Sequence, residues 1–256
     1  MKKQLFLSLL CLIIFSSPVL AQAYLATAGE TIFSYGDVDA GSTDIKPVVR
    51  FSPVFNFQEQ IHFNFSRNVG IYTGLGFRNV GLISKINYDI IDTAGTHFGK
   101  EVTIKERSYS LGLPLALKFG DLDEGVNFAI GGEAEVMFAY KRKIIDGDTK
   151  NKSDSWFDDN VTIFNPSVFA EVKFKKGQYI RFKYYILDFL DYQGVTLIDQ
   201  TFLPEYGKSS PLFYVSLGAV SLHKDMKKGS TAAPETTSAY FKSDRKNHHD
   251  PVASGQ

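Results

Sequence analysis

The sequence predicts an all-β fold, a transmembrane up-and-down antiparallel β-barrel of eight strands, on three observations. Long segments alternate apolar and polar residues with a period of two. The connections between them alternate between short and long, and the chain opens on an export signal. No segment after that signal has the unbroken apolar run of a membrane helix, so strands would have to do the crossing. The aromatic fraction, 14% with 22 Phe and 13 Tyr, favours strands as well.

Met1-Lys2-Lys3 is a basic start, Leu5 to Phe15 a short apolar block, and Ala21 and Ala23 are small residues suited to cleavage. Residues 1–23 are therefore expected to be a secretory signal peptide, 24–222 an outer-membrane barrel, and 223–256 a disordered polar periplasmic tail. Cys11 lies inside the signal, which leaves the mature chain without a thiol and excludes disulfide scaffolds and cysteine catalysis. Lys and Arg total 28, as do Asp and Glu, and losing Lys2 and Lys3 leaves 26 basic residues against 28 acidic ones. That near-neutral balance gives no reason to expect nucleic acid.

The first strand is expected at Thr31 to Val38. The second, Val48 to Phe65, sets Val49, Phe51, Phe55, Phe57, Ile61, Phe63 and Phe65 against Arg50, Ser52, Asn56, Gln58, Gln60, His62 and Asn64. Pro53 and Glu59 interrupt its apolar face. Either Glu59 reaches toward headgroups, or Gln58-Glu59-Gln60 is a turn; one continuous strand is the preferred reading. A third strand starts at Val69, with Gly74, Gly76 and Arg78 on its polar face. The fourth, Ser108 to Phe119, alternates strictly. The fifth, from Val126, places Phe128, Val136, Phe138 and Tyr140 outward and Glu133, Glu135 and Lys141 inward. The sixth is Thr162 to Phe174 with Glu171 inward, the seventh carries Arg181 and Lys183 inward, and the eighth is Leu212 to Leu222. The connections at 66–68, 120–125 and 175–178 are short, and those at 84–100, 146–160 and 188–210 are long and polar. Such asymmetry places short turns in the periplasm and long loops outside.

A soluble lipocalin-like barrel has the same strand count but turns its apolar face inward. The polar face here is crowded with glycine and carries Arg78, Lys118, Glu133, Glu135, Glu171, Arg181 and Lys183, a composition suited to a narrow, charge-paired lumen.

The run Asn64-Phe65-Ser66-Arg67-Asn68-Val69-Gly70-Ile71-Tyr72-Thr73-Gly74-Leu75-Gly76-Phe77-Arg78-Asn79-Val80-Gly81 resembles the second hairpin of PorT-like outer-membrane β-barrel proteins of the Bacteroidetes. Tyr109 to Leu115, Phe182 to Tyr185 and Phe213 to Leu217 extend the likeness over roughly residues 48–222. The resemblance implies a fold and a place in the cell envelope of a Gram-negative bacterium. It implies no catalytic residues.

The lumen charges are read as a salt-bridged plug, with a proton or ion pathway as the alternative. Catalysis would need a His beside a nucleophile or carboxylate at the outer rim; His62 and His223 fall at the opposite end, and His97 is a lone loop histidine. The Asp146 to Asp159 loop lacks the ligand spacing of a calcium loop. Trp156 and Phe157 within it either anchor a ligand or partner, or touch headgroups and their own loop. The expected function is a non-enzymatic structural or interaction role, through surface loops or within an envelope complex, with no cofactor. The expected partners are outer-membrane lipid and envelope proteins. Small-solute or ion transport is the alternative, and lipid modification a second one.

Overall fold

The computed structural model describes residues 22–38, 45–91, 97–123, 125–191 and 211–222. Eleven strands follow in chain order: β1 (Gln22–Tyr35), β2 (Ile45–Val48), β3 (Arg50–Ser52), β4 (Phe57–Asn64), β5 (Val69–Ile91), β6 (His97–Gly120), β7 (Asn127–Asp146), β8 (Thr149–Trp156), β9 (Phe164–Lys173), β10 (Gln178–Asp188) and β11 (Pro211–Leu222). Eight of them close a ring in the order β1, β4, β5, β6, β7, β9, β10, β11, with β11 pairing back onto β1. Every pairing is antiparallel. Closure removes the unpaired edges that an open sheet would expose.

The alternation decides which face is which. Leu113 and Leu115 on β6 are each 62% exposed, and Ile130, Phe164, Phe182 and Leu217 also face outward. The other parity points inward and is buried: Glu30, Arg78, Glu135, Arg181 and Lys183 among others. The barrel is thus polar inside and apolar outside, the reverse of a soluble lipocalin-like barrel.

Several sequence expectations are corrected. β1 begins at Gln22 rather than Thr31, because its first half is built from small residues with little hydrophobic contrast; Ala26 and Ala28 are nonetheless fully inward. The second strand is not continuous, but neither is Gln58-Glu59-Gln60 a turn. The ladder breaks at Pro53 to Asn56, where Phe55 takes φ 62°. A proline cannot donate to a ladder, and Asn56 repairs the gap on both sides. Its carbonyl accepts from Glu30 N at 3.0 Å, its Oδ1 accepts from Asn79 N at 2.8 Å, and its Nδ2 donates to Ser52 O at 2.9 Å. Glu59 lies inside β4 on the outer face and accepts from Thr27 Oγ1, its cross-strand partner, at 2.8 and 3.0 Å.

Two connections expected to be polar loops are largely strand. β5 and β6 stay paired from Val69↔Phe119 to Ile91↔His97, and β7 and β8 form a second hairpin turning at Gly147. These hairpins project from one end of the barrel, opposite the short turns, the start of β1 and the end of β11. A β-bulge at Phe138 also flips the register of the upper part of β7. Tyr140, expected outside, is inside and buried, and Lys141, expected inside, faces out. The expected segments 1–21, 192–210 and 223–256 lie outside the described residues, as does the side chain of His97.

Candidate functional site: a charge-filled lumen under an apolar cap

The lumen is filled in layers. Nearest the short turns, Lys118 Nζ donates to Asn64 Oδ1 at 2.7 Å and to His62 Nδ1 at 3.0 Å, and His62 stacks on Tyr24 with ring centroids 4.6 Å apart. His62 Nε2 then donates to Gln60 Oε1 at 2.8 Å, which uses both ring nitrogens. Above this come Tyr72, Ala116, Ala129 and Phe169. The central layer is ionic. At the hairpin end, Ile32, Val80, Leu82, Met137, Tyr140, Phe189, Leu212 and others form an apolar cap.

Six of the seven charged residues expected in the lumen meet in the central layer. Arg181 donates to Glu171 Oε2 from Nε at 3.0 Å and from Nη2 at 2.7 Å. Lys183 bridges Glu133, at 2.7 Å, and Glu135, in still closer contact. Arg78 pairs with Glu133 and donates to Gln58 Oε1 at 2.9 Å. Ser110 Oγ and Tyr185 OH complete Glu135, at 2.7 and 3.0 Å.

The residue that joins these pairs was not among those expected. Glu30 accepts from Arg78 Nε at 2.8 Å, from Arg181 Nη1 at 3.3 Å, from Ser216 Oγ at 2.6 Å and from Tyr179 OH at 3.4 Å. A first strand begun at Gln22 would have exposed it, since Ala26, Ala28, Glu30, Ile32 and Ser34 share one parity. With Glu30 included, four carboxylates face Arg78, Arg181 and Lys183, so the connected network carries a formal charge of −1. Charges taken this far from water persist only where each is paired and hydrogen-bonded.

Lys118 is the exception to the expected set. It shares a cross-strand row with Ala129, Glu171 and Arg181, but Arg181 is the immediate neighbour of Glu171 and holds it with two donors. Lys118 reaches the other way along the same row, across Gly70, to Asn64. A Cβ at Gly70 would stand 3.1 Å from Lys118 Cε, so glycine keeps that route open. Gly76 and Gly112 serve the ionic layer in the same way: Cβ atoms there would lie 2.4 Å from Arg78 Nη1 and 2.1 Å from Glu133 Oε1.

Trp156 and Phe157 are not in a free loop. Trp156 is the last residue of β8, pairs with Ala139, is 72% exposed, and stacks on Phe138 at 5.7 Å. Phe138, Tyr109, Phe77 and Phe57 continue the chain of rings around the outer wall, at centroid separations of 5.3 to 6.5 Å. Phe157 follows at φ 50° and is also exposed.

No family model and no curated protein matches the chain. Among solved structures it is similar to Ail, the attachment invasion locus protein of Yersinia pestis, at 9% identity over 78% of this chain and 97% of that one, with a TM-score of 0.33. Neisserial surface protein A matches at 9% identity over 77% and 97%, TM-score 0.33. The N-terminal β-barrel domain of Pseudomonas aeruginosa OprF matches at 9% over 78% and 100%, TM-score 0.27. The eight-stranded ring rests on this chain's own strand pairing and owes nothing to these similarities.

Proposed function

We propose that this chain is an outer-membrane β-barrel protein whose lumen is a structural plug, and that it works through its outer wall and projecting hairpins without turnover or conduction. The observation that carries this reading is the inverted barrel: a continuous apolar wall around a paired ionic core. From Phe119 to Tyr109, β6 presents Phe119, Leu117, Leu115, Leu113, Leu111 and Tyr109 outward. Ten residues at about 3.3 Å each, on a strand tilted by about 40°, span roughly 25 Å, the height of the apolar band of an outer-membrane barrel. Aromatic side chains edge this band at both ends, with Phe119 and Phe128 below and the Tyr109 to Trp156 rings above.

The export signal at residues 1–23 and the resemblance of residues 48–222 to PorT-like proteins support the same location. Short turns then face the periplasm and the two hairpins face outward. Among the described residues His62 contacts Lys118, Gln60 and the Tyr24 and Tyr72 rings, and no serine, cysteine or carboxylate that would make a hydrolytic triad with it, which favours a non-enzymatic role. The membrane-extracted protein should migrate faster unheated than boiled on a denaturing gel, and the reconstituted barrel should show no conductance steps in planar bilayers. A freely soluble protein without a mobility shift would overturn the location, and discrete steps would overturn the plug.

A further inference from the structure

Just above the upper aromatic belt, the outer face of the hairpins changes from apolar to cationic. Arg107 sits directly opposite Lys141 one row above Tyr109, and Lys105, Lys143 and Lys152 lie directly opposite one another one row higher, on β6, β7 and β8. Lys150 follows next along β8, on the same face. Like charges placed directly opposite across a sheet destabilise it. The neighbouring rows do not share the problem: Lys141 has Asp154 at 3.9 Å and Lys85 has Glu101 at 2.7 Å. Among the described residues no carboxylate lies within ion-pair distance of Lys105, Lys143, Lys150 or Lys152. A row of cations that repel one another and lack internal partners is suited to an external anion.

Height identifies the anion. Two residues along a tilted strand rise about 5 Å, so Arg107 and Lys141 stand roughly 5 Å above the belt and Lys105, Lys143 and Lys152 roughly 10 Å above it. The polar headgroup zone of a bilayer begins at the apolar edge and is roughly 5 to 8 Å deep on each side, so long lysine side chains on this wall end within or at the top of it. The cations also face sideways along the wall, in line with the lipid-facing leucines, and not into the lumen.

We infer that the Lys105, Lys143 and Lys152 row, flanked by Arg107 and Lys150, is a binding site for the phosphate groups of the outer-leaflet glycolipid. The occupant is a phosphorylated sugar headgroup held in the membrane plane, whose anions neutralise the row that the sheet leaves unpaired. The site rests on the outer-membrane reading given above, and it adds a specific lipid partner to it.

The test uses the full chain reconstituted in phosphatidylcholine, with lipopolysaccharide titrated in, either intact or after enzymatic removal of its phosphates. The readout is the temperature at which the fast-migrating folded form is lost. Intact lipopolysaccharide should raise that temperature for the wild type, and the dephosphorylated form should not. The Lys105→Gln/Lys143→Gln/Lys152→Gln variant should keep its mobility shift, match or exceed the wild type in phosphatidylcholine alone, and require roughly 100-fold more lipopolysaccharide for stabilisation, at about a fivefold effect per surface lysine. Equal stabilisation by both lipopolysaccharides, or an unaltered titration in the triple variant, would overturn the site. So would full stabilisation of the wild type by soluble polyphosphate in phosphatidylcholine, since the partner would then be a free polyanion. A chain that never shows a mobility shift in any lipid refutes the membrane reading instead, which keeps the two failures apart.

Discussion

Replacing Arg181 with alanine removes the only ion-pair partner of Glu171 among the described residues and one of the two arginines on Glu30. Glu30 keeps Arg78 at 2.8 Å and Ser216 at 2.6 Å, so the damage centres on Glu171, which is 6% exposed. Deleting one member of a buried ion pair costs about 3 to 5 kcal/mol, because the remaining charge stays desolvated without compensation. That range corresponds to a shift of roughly 10² to 10³ or more in the folding equilibrium. Urea unfolding of the barrel in lipid vesicles, followed by gel mobility, should therefore show a large fall in midpoint for Arg181→Ala. Adding Glu171→Gln removes the orphaned charge and leaves a neutral amide. The double variant should recover about 2 kcal/mol of the loss, the coupling expected of groups in direct contact. If Arg181→Ala unfolded at the wild-type urea concentration, or if Glu171→Gln restored nothing, the paired plug would be wrong.

Three further outcomes follow from the same geometry. Gly74→Ala places a Cβ 1.9 Å from Glu59 O, a backbone atom that cannot move without breaking the β4–β5 ladder, so it should abolish the fast-migrating form; Gly29→Ala meets nothing within 4 Å and should leave it intact. Trp156 is the chain's single tryptophan, and at the upper belt its fluorescence should be quenched by lipids labelled near the headgroup much more than by those labelled at the chain end. Glu59→Leu exchanges a lipid-facing carboxylate and its bond from Thr27 for an apolar side chain, and should raise the unfolding free energy by about 1 kcal/mol, read as a higher urea midpoint.

How far the barrel was legible depended on contrast along each strand. Ser108 to Phe119 could be placed residue by residue, since six leucines and aromatics alternate there with Ser, Gly, Pro, Ala and Lys, and a one-residue slip would move them all to the wrong face. β1 has little such contrast, because Ala, Thr and Gly occupy both faces of its first half; what makes it a strand is pairing with β4 on one side and β11 on the other. Pairing at that sequence distance leaves no local trace. The hairpins were hidden for a related reason. Above the aromatic belt the outer wall no longer needs apolar residues, so the alternation fades while the backbone ladder continues to Ile91↔His97. Loss of hydrophobic contrast there marks the edge of the apolar band, not the end of the strands.

The same limit separates face from height in the lumen. Parity placed Lys118 and Arg181 on the inner face, but parity is a property of one strand, whereas a salt bridge also needs two side chains at one level. That level is set by the stagger between strands, which closure of the ring fixes. Lys118 lies in the row of Glu171 and still loses it to Arg181, one strand nearer and with two donors to offer. The outer lysines obey the opposite rule. Lys152 fell in an expected loop and Lys105 and Lys143 in no expected element, three unremarkable charges until the strand pairing set them side by side. Inside the barrel the fold brings opposite charges together and thereby neutralises nearly all of them; on the wall above the belt it brings like charges together, and no carboxylate among the described residues offsets the Lys105, Lys143 and Lys152 row. On the proposal made above, that cluster is the contact point for a lipid anion.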